Sequence, residues 1–258
     1  MLRDIVERFP HPTAGSSYSV TVSIPNEEPP AEGFPVLYIL DGNAYGLMCK
    51  ELLKLQWQRT EKTHIAPMII VSIGYATEEL HPSLRVFDFT PTPSAASLPE
   101  RPDGTEWPAY GGAKEFLQFL EATVQPLVRR HASVDQENQI LFGHSLGGLF
   151  VLYALFERPD MFSDYLSCSP SIWWNDQEIL TYEQKDCLDS TKRLFLAAEQ
   201  QEKGKMYESA FALYTRLKEH HPDSVTFTSP AGENHMSIVP TIFSEAIRFF
   251  YRGTEEAN

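Results

Sequence analysis

Apolar residues recur along this chain in two distinct periods, and the alternation between those periods predicts its architecture. Residues 18–24 alternate polar and apolar with β-branched enrichment, then meet the Pro/Glu-rich stretch 25–33, which reads as a strand and a loop. Val36, Leu37, Tyr38, Ile39 and Leu40 are a continuous apolar run, the kind that forms a strand covered on both faces. That run stops at the turn signal Asp41-Gly42-Asn43. Helical spacing over 47–58 leads to a second all-apolar strand at 68–73 that ends at Gly74, so strand, helix and strand imply a parallel crossover.

Further on, 114–131 has helical spacing through Phe116, Phe119, Leu120, Val124, Leu127 and Val128, and 139–142 is a short apolar strand followed by a helix at 146–158. Short strands are predicted again at 165–167, 193–198 and 225–228, interleaved with helices near 206–220 and 238–251. Strand and helix alternate to the end, which gives an α/β class with a mostly parallel sheet covered by helices on both faces. The segment 75–112 is rich in Pro, Gly, Ser and Thr and is too long for an ordinary connection. It is expected to be a lid or substrate loop inserted into a single domain spanning 1–258, since no repeat or linker divides the chain.

Composition narrows the function. The formal charge of −14 excludes a general nucleic-acid binder, which needs clustered Lys and Arg. Cys49, Cys168 and Cys187 are widely spaced and odd in number, so neither a disulfide framework nor a zinc site is expected, and no metal or organic cofactor is called for. Residues 1–12 hold no apolar run of signal-peptide length, and no later run nears the roughly eighteen residues of a membrane span. A cytosolic protein acting on a small molecule, with no membrane and no obligate protein partner, is the expectation.

The chemistry is announced by Gly143-His144-Ser145-Leu146-Gly147, which fits Gly-x-Ser-x-Gly, follows a predicted strand and opens a predicted helix. A sharp strand-to-helix turn of this kind strains the serine backbone and is expected to leave no room for side chains at Gly143 and Gly147. Ser145 is therefore the candidate nucleophile. The amide of Leu146 is placed to donate to a tetrahedral oxyanion, and a second donor is expected from Gly42 or Asn43 after the 36–40 strand. A serine hydroxyl needs an imidazole to take its proton. Of the histidines beyond Ser145, His220 and His221 read as cations at a helix end, whereas His235 sits just past the 225–228 strand, where this arrangement requires the base. The orienting acid is expected after the 193–198 strand, where Glu199 is the first choice and Glu202 the second; if neither reaches His235, serine and histidine work as a dyad.

With these residues in view, the chain resembles the esterase-D-like α/β-hydrolases, in the branch of the ferric siderophore trilactone esterases of the ferri-bacillibactin and enterobactin type. The segments that carry the resemblance are Tyr38-Ile39-Leu40-Asp41-Gly42-Asn43, Arg85-Val86-Phe87-Asp88-Phe89-Thr90-Pro91, Gly111-Gly112-Ala113, the elbow with Gly148, Ser169-Pro170-Ser171-Ile172-Trp173-Trp174 and Gly232-Glu233-Asn234-His235. The resemblance implies an α/β-hydrolase fold and a serine esterase whose favoured substrate is a ferric catecholate trilactone, with iron entering as part of the substrate. It also implies that Arg85 contacts substrate, since a tris-catecholate trianion pairs with guanidinium and stacks on aromatic rings; the competing expectation is a local Arg85–Asp88 pair that pins the loop. Trp173 and Trp174 follow the strand after the elbow and are expected to line the acyl pocket or to pack. The remaining readings are a small-molecule carboxylesterase or acyl-thioester hydrolase with the same machinery, and a non-catalytic binding protein on the same fold.

Overall fold

The computed structural model describes residues 1–13, 15–93, 98–101, 104–184, 186–200 and 205–250. In chain order its elements are β1 (Leu2–Pro10), β2 (Ser17–Pro25), β3 (Phe34–Ile39), α1 (Gly42–Gln56), α2 (Thr60–Thr63), β4 (Ile69–Tyr75), α3 (Leu84–Phe89), α4 (Ala113–Phe119), α5 (Gln125–His131), β5 (Val134–His144), α6 (Leu146–Glu157), β6 (Asp164–Cys168), β7 (Arg193–Ala197), α7 (Met206–His220), β8 (Val225–Thr228) and α8 (Ile238–Phe250). The eight strands form one sheet in the order β1-β2-β4-β3-β5-β6-β7-β8. Pairing is antiparallel for β1/β2 and β2/β4 and parallel from β4 onward, so the sheet is mostly parallel as expected.

The continuous apolar runs have the cause assigned to them. In β3, Val36 and Tyr38 join the core on one face while Leu37 and Ile39 join a second core on the other. α1 and α8 cover that second face; α4, α5, α6 and α7 cover the first. α6 is buried from Leu146 through Phe156, which explains why it is apolar all round instead of amphipathic. No described helix is long and apolar enough to cross a membrane.

Three elements depart from the sequence pattern. β1 was not predicted, because an edge strand with half-exposed faces carries charges on both sides and no apolar run. The 114–131 helix is broken by a π-turn at Leu120–Val124 that divides α4 from α5. The long 75–112 segment holds a helix of its own, α3, and that helix is anchored from beneath. Asp88 is fully buried and accepts from Tyr18 Oη (2.8 Å), Tyr75 Oη (2.7 Å) and His11 Nε2 (3.1 Å). The Thr13 amide donates to His11 Nδ1, which leaves Nε2 to carry the proton toward Asp88. Burial, reinforced by the neighbouring carboxylate, pushes both tyrosine pKa values up and keeps the phenols donating. Asp88→Ala would strand three buried donors, so a loss of about 3–5 kcal/mol is expected in urea unfolding. A loss below about 1 kcal/mol would show that the cluster contributes little.

The winding reverses between β3 and β5: the chain leaves β3 toward β4 on one side and later returns to lay β5 on the other. In open α/β sheets the crevice for a ligand lies outside the carboxyl ends of the strands at such a switch point. Asp41 follows β3 there, and Ser145 follows β5.

Candidate active site

β5 enters the elbow fully buried, and Ser145 turns the chain into α6 with φ 61° and ψ −118°. A non-glycine residue at positive φ stores roughly 1–3 kcal/mol and persists only where its surroundings enforce it. Here the enforcement is visible: the Ser145 amide donates to Cys168 O (3.0 Å), and its carbonyl accepts from the amides of Leu149 (3.0 Å) and Ser171 (3.1 Å). A methyl group on Gly143 would lie 2.2 Å from Gly147 O, and one on Gly148 would lie 2.8 Å from Cys168 O. At Gly147 the nearest atom would be Asp41 Oδ2 at 3.3 Å, so the crowding expected at Gly143 and Gly147 falls on Gly143 and Gly148. Of the two first-turn glycines of α6, Gly148 is the one that faces the end of β6, at Cys168.

The Ser145 hydroxyl is half-exposed and faces Ser171 Oγ at 3.4 Å, well beyond an ordinary O–H···O distance of about 2.7–2.8 Å. His235, on the loop after β8, packs its ring on that of His144, the residue before Ser145, with centroids 4.4 Å apart. Its Nδ1 lies 2.9 Å from Glu199 Oε1. A carboxylate only accepts, so in the neutral ring Nδ1 carries the proton and Nε2 keeps its lone pair. Glu199 comes from the end of β7, is fully buried, and takes a second, short hydrogen bond from Ser169 Oγ on Oε2. Burial works against its charge, but the bonds from His235 and Ser169 outweigh that and hold its pKa below the usual glutamate range. Glu202, the other candidate acid, lies outside the described residues. His220 closes α7 and His221 follows it, as their sequence context implied.

His144, between Gly143 and Ser145, had no assigned role in the sequence. Tyr45 on α1 reaches its Nδ1 at 2.8 Å, and Nε2 turns toward the His235 main chain without meeting hydrogen-bond geometry. Burial first, then the neighbouring His235, drives the His144 pKa well below that of a free histidine. Burial also raises the Tyr45 pKa, so a neutral imidazole meets a protonated phenol.

Leu146 is the first residue of α6, and Gly42 and Asn43 are the first two of α1; amides at these positions have no acceptor within their helices. Asn43 uses its side chain elsewhere, accepting from Tyr75 N (2.8 Å) and donating to the carbonyls of Tyr75 (3.0 Å) and Thr77 (2.8 Å). Arg85 does not pair with Asp88. Its Nε and Nη2 fork onto the two carboxyl oxygens of Asp41 at 2.7 and 2.8 Å, while Asp88 accepts from Tyr18, Tyr75 and His11. A planar two-point match to a buried carboxylate outcompetes the local pair. Trp174 is fully buried, edge-on to Trp107 (4.9 Å) and near Tyr110 (6.0 Å), so packing accounts for it. Trp173 is half-buried, 6.3 Å from Trp107, and keeps part of its surface accessible. Arg101 lies over the Trp107 ring at 5.7 Å, and the two line a cavity of ≈ 670 Å³ together with Leu98, Glu100 and Tyr110. The sequence pattern gave no role to Trp107 and Tyr110, which sit in the aperiodic loop, nor to Ser169 and Ser171, which figured only within the Ser169–Trp174 segment of the resemblance.

A buried carboxylate, an imidazole with one free nitrogen and a hydroxyl on a strained turn beside helix-start amides can together transfer an acyl group to water. Comparison with known proteins agrees. Residues 12–209 match the model of the family described as "Putative esterase". The chain is 41% identical over 244 residues to ferri-bacillibactin esterase BesA of Bacillus subtilis, covering 90% of this chain and 84% of that one. It superposes on the crystal structure of the BES protein from Bacillus cereus with a TM-score of 0.87 at 36% identity, covering 96% and 95% of the two chains. It also superposes on the enterobactin hydrolase IroE in complex with DFP, a serine-hydrolase inhibitor, with a TM-score of 0.78 at 26% identity over 97% and 96%.

Proposed function

We propose, from the premise that this chain belongs to that esterase family and is a serine ester hydrolase of the α/β-hydrolase fold, that it opens the ester bonds of a ferric catecholate siderophore trilactone through an acyl-Ser145 intermediate. The observation that carries the assignment is the Glu199–His235 hydrogen bond set against the elbow. Ser145 rotates about its Cα–Cβ bond, gives up the weak Ser171 contact and presents its proton to His235 Nε2 as Oγ attacks the ester carbonyl. The tetrahedral oxyanion is held by the Leu146 amide and by the Gly42–Asn43 turn. His235 then protonates the leaving alkoxide, and water repeats the cycle to free the serine. Glu199 keeps the imidazole in the productive tautomer and stabilises the imidazolium.

The substrate class rests on the named activities of the relatives and on the aromatic and cationic side chains of the 75–112 segment and the 169–174 turn. Trp173 and Trp107 offer aromatic faces, and Arg101 over Trp107 adds a cation where catecholate rings would stack. The three cysteines are buried and unpaired, which suits a reducing compartment and supports a cytosolic site of action.

The test is a rate panel joined to active-site labelling. A fluorophosphonate should label Ser145, and kcat/KM for the ferric trilactone should exceed that for p-nitrophenyl butyrate by about 100-fold or more. Turnover confined to short acyl esters or thioesters would replace the substrate while keeping the mechanism. Absence of labelling at Ser145 would remove the mechanism itself.

A further inference from the structure

We infer that Arg85 is a positioning residue that clamps the oxyanion loop to the nucleophile elbow, acting through Asp41 instead of touching the ester. The inference rests on the reading of Ser145 as nucleophile and of the Gly42–Asn43 turn as part of the oxyanion site.

Asp41 is the pivot of that turn. It stands at φ 51° and ψ 48°, is 1% exposed, and its carbonyl accepts from the amides of Ala44 (2.9 Å) and Tyr45 (3.0 Å) to start α1. A left-handed aspartate at a helix start is held by its surroundings, and what holds the side chain is the two-point fork from Arg85. The same guanidinium reaches across to the elbow, where Nη2 points at His144 O at 3.4 Å. Asp41 Oδ2 also rests against Gly147, close enough that a methyl group there would stand 3.3 Å away. The Asp41–Arg85 pair is therefore wedged between the end of β3 and the end of β5, the two elements whose following amides must converge on one oxygen.

Arg85 is itself firmly mounted. It lies on α3 with its guanidinium over Phe89 at 5.4 Å, and α3 is fixed by the hydrogen bonds to Asp88 from Tyr18, Tyr75 and His11. The Arg85 side chain is 11% exposed, and three of its N–H directions are taken by protein oxygens. A chain of rigid contacts thus runs from the β1–β2 hairpin to the gap between two helix starts. Displacing a stabilising donor by about 1 Å can cost on the order of 10²-fold in rate, so a clamp at this point has catalytic weight without contact to substrate.

The experiment uses the full-length enzyme with p-nitrophenyl acetate, a small neutral ester, and with a fluorophosphonate that needs no siderophore recognition. Asp41→Asn, which preserves shape, Arg85→Lys and Arg85→Gln should each lower kcat and the phosphonylation rate by about 10–100-fold with little change in KM. Lysine keeps the charge but cannot fork, so Arg85→Lys should not rescue. The Asp41→Asn/Arg85→Gln double variant should be no slower than the slower single variant, because both remove one coupled unit. The inference is overturned if Arg85→Gln handles the neutral ester normally and only raises KM for the anionic trilactone, which would mean direct contact with substrate. It is overturned equally if the two losses multiply, or if only thermal stability falls while kcat per folded molecule holds. Failure of the nucleophile assignment would look different: wild-type enzyme would escape fluorophosphonate altogether.

Discussion

Under the proposed acyl-Ser145 mechanism, Ser145→Ala is expected to lower kcat/KM on every ester by about 10⁴–10⁶-fold, because nucleophile, base and acid would act as a unit and removing the attacking atom would leave only binding and oxyanion stabilisation. The fold should survive. Among the described residues the hydroxyl makes one long contact, to Ser171 Oγ at 3.4 Å, so its loss should cost well under about 1 kcal/mol in urea unfolding. The backbone strain at this position supplies a second, independent reading. Alanine inherits the φ of 61°, whereas glycine accepts it freely. Ser145→Gly should therefore be as inactive as Ser145→Ala yet more stable, by roughly 1–3 kcal/mol of released strain less the 0.5–1 kcal/mol that glycine loses in chain entropy. Activity within tenfold of wild type in the alanine variant would end the acyl-enzyme scheme. A glycine variant less stable than the alanine one would show instead that the turn is not strained.

What could be read from the sequence was what neighbouring residues decide together. The elbow is such a feature: a strand of apolar residues, a serine flanked by glycines and a helix start within a dozen positions force one geometry, and the 2.2 Å that a methyl group on Gly143 would leave to Gly147 O is its steric cause. The doubly covered strands were readable for the same reason, since Val36 through Leu40 need apolar cover on both faces. Chain order puts His235 just past β8 and Glu199, ahead of Glu202, just past β7; the hydrogen bond that joins Glu199 to His235 is not in that order.

Contacts between distant segments left no such trace. Arg85 was expected to meet either substrate or Asp88, three positions on; its partner is Asp41, 44 residues back, and no local spacing encodes that. Asp88 is held by residues 13, 70 and 77 positions away, and Tyr45 reaches His144 across 99. Among the glycines, the pentapeptide pattern weighs both of its ends equally. Which glycine is crowded depends on where β6 ends, and Cys168 O beneath Gly148 settles it. These are consequences of strand order, which periodicity along one segment does not contain.

Glu199→Gln should cost about 10²–10⁴ in kcat with the fold retained, and the reason lies in how its two oxygens are used. One accepts His235 Nδ1–H, the other accepts Ser169 Oγ–H. An amide can satisfy only one of these as an acceptor. If its NH₂ faces His235, the imidazole proton moves to Nε2, the nitrogen that must receive the proton of Ser145; if its oxygen faces His235, the tautomer survives but the charge that stabilises the imidazolium is gone. Either arrangement slows proton transfer without disturbing Ser145. The pH dependence of stability separates charge from shape. The folded-state pKa of Glu199 is held below its ordinary value of about 4.3, so its contribution is fully present above that value and is lost as pH falls through the lower folded-state one. Wild type should accordingly exceed Glu199→Gln in stability near neutrality, and the gap should close in acid. A gap that persists unchanged at low pH would assign the difference to packing instead of charge. Full kcat in Glu199→Gln at neutral pH would mean that the imidazole is oriented without a carboxylate, leaving Ser145 and His235 as a dyad with a backbone or water partner.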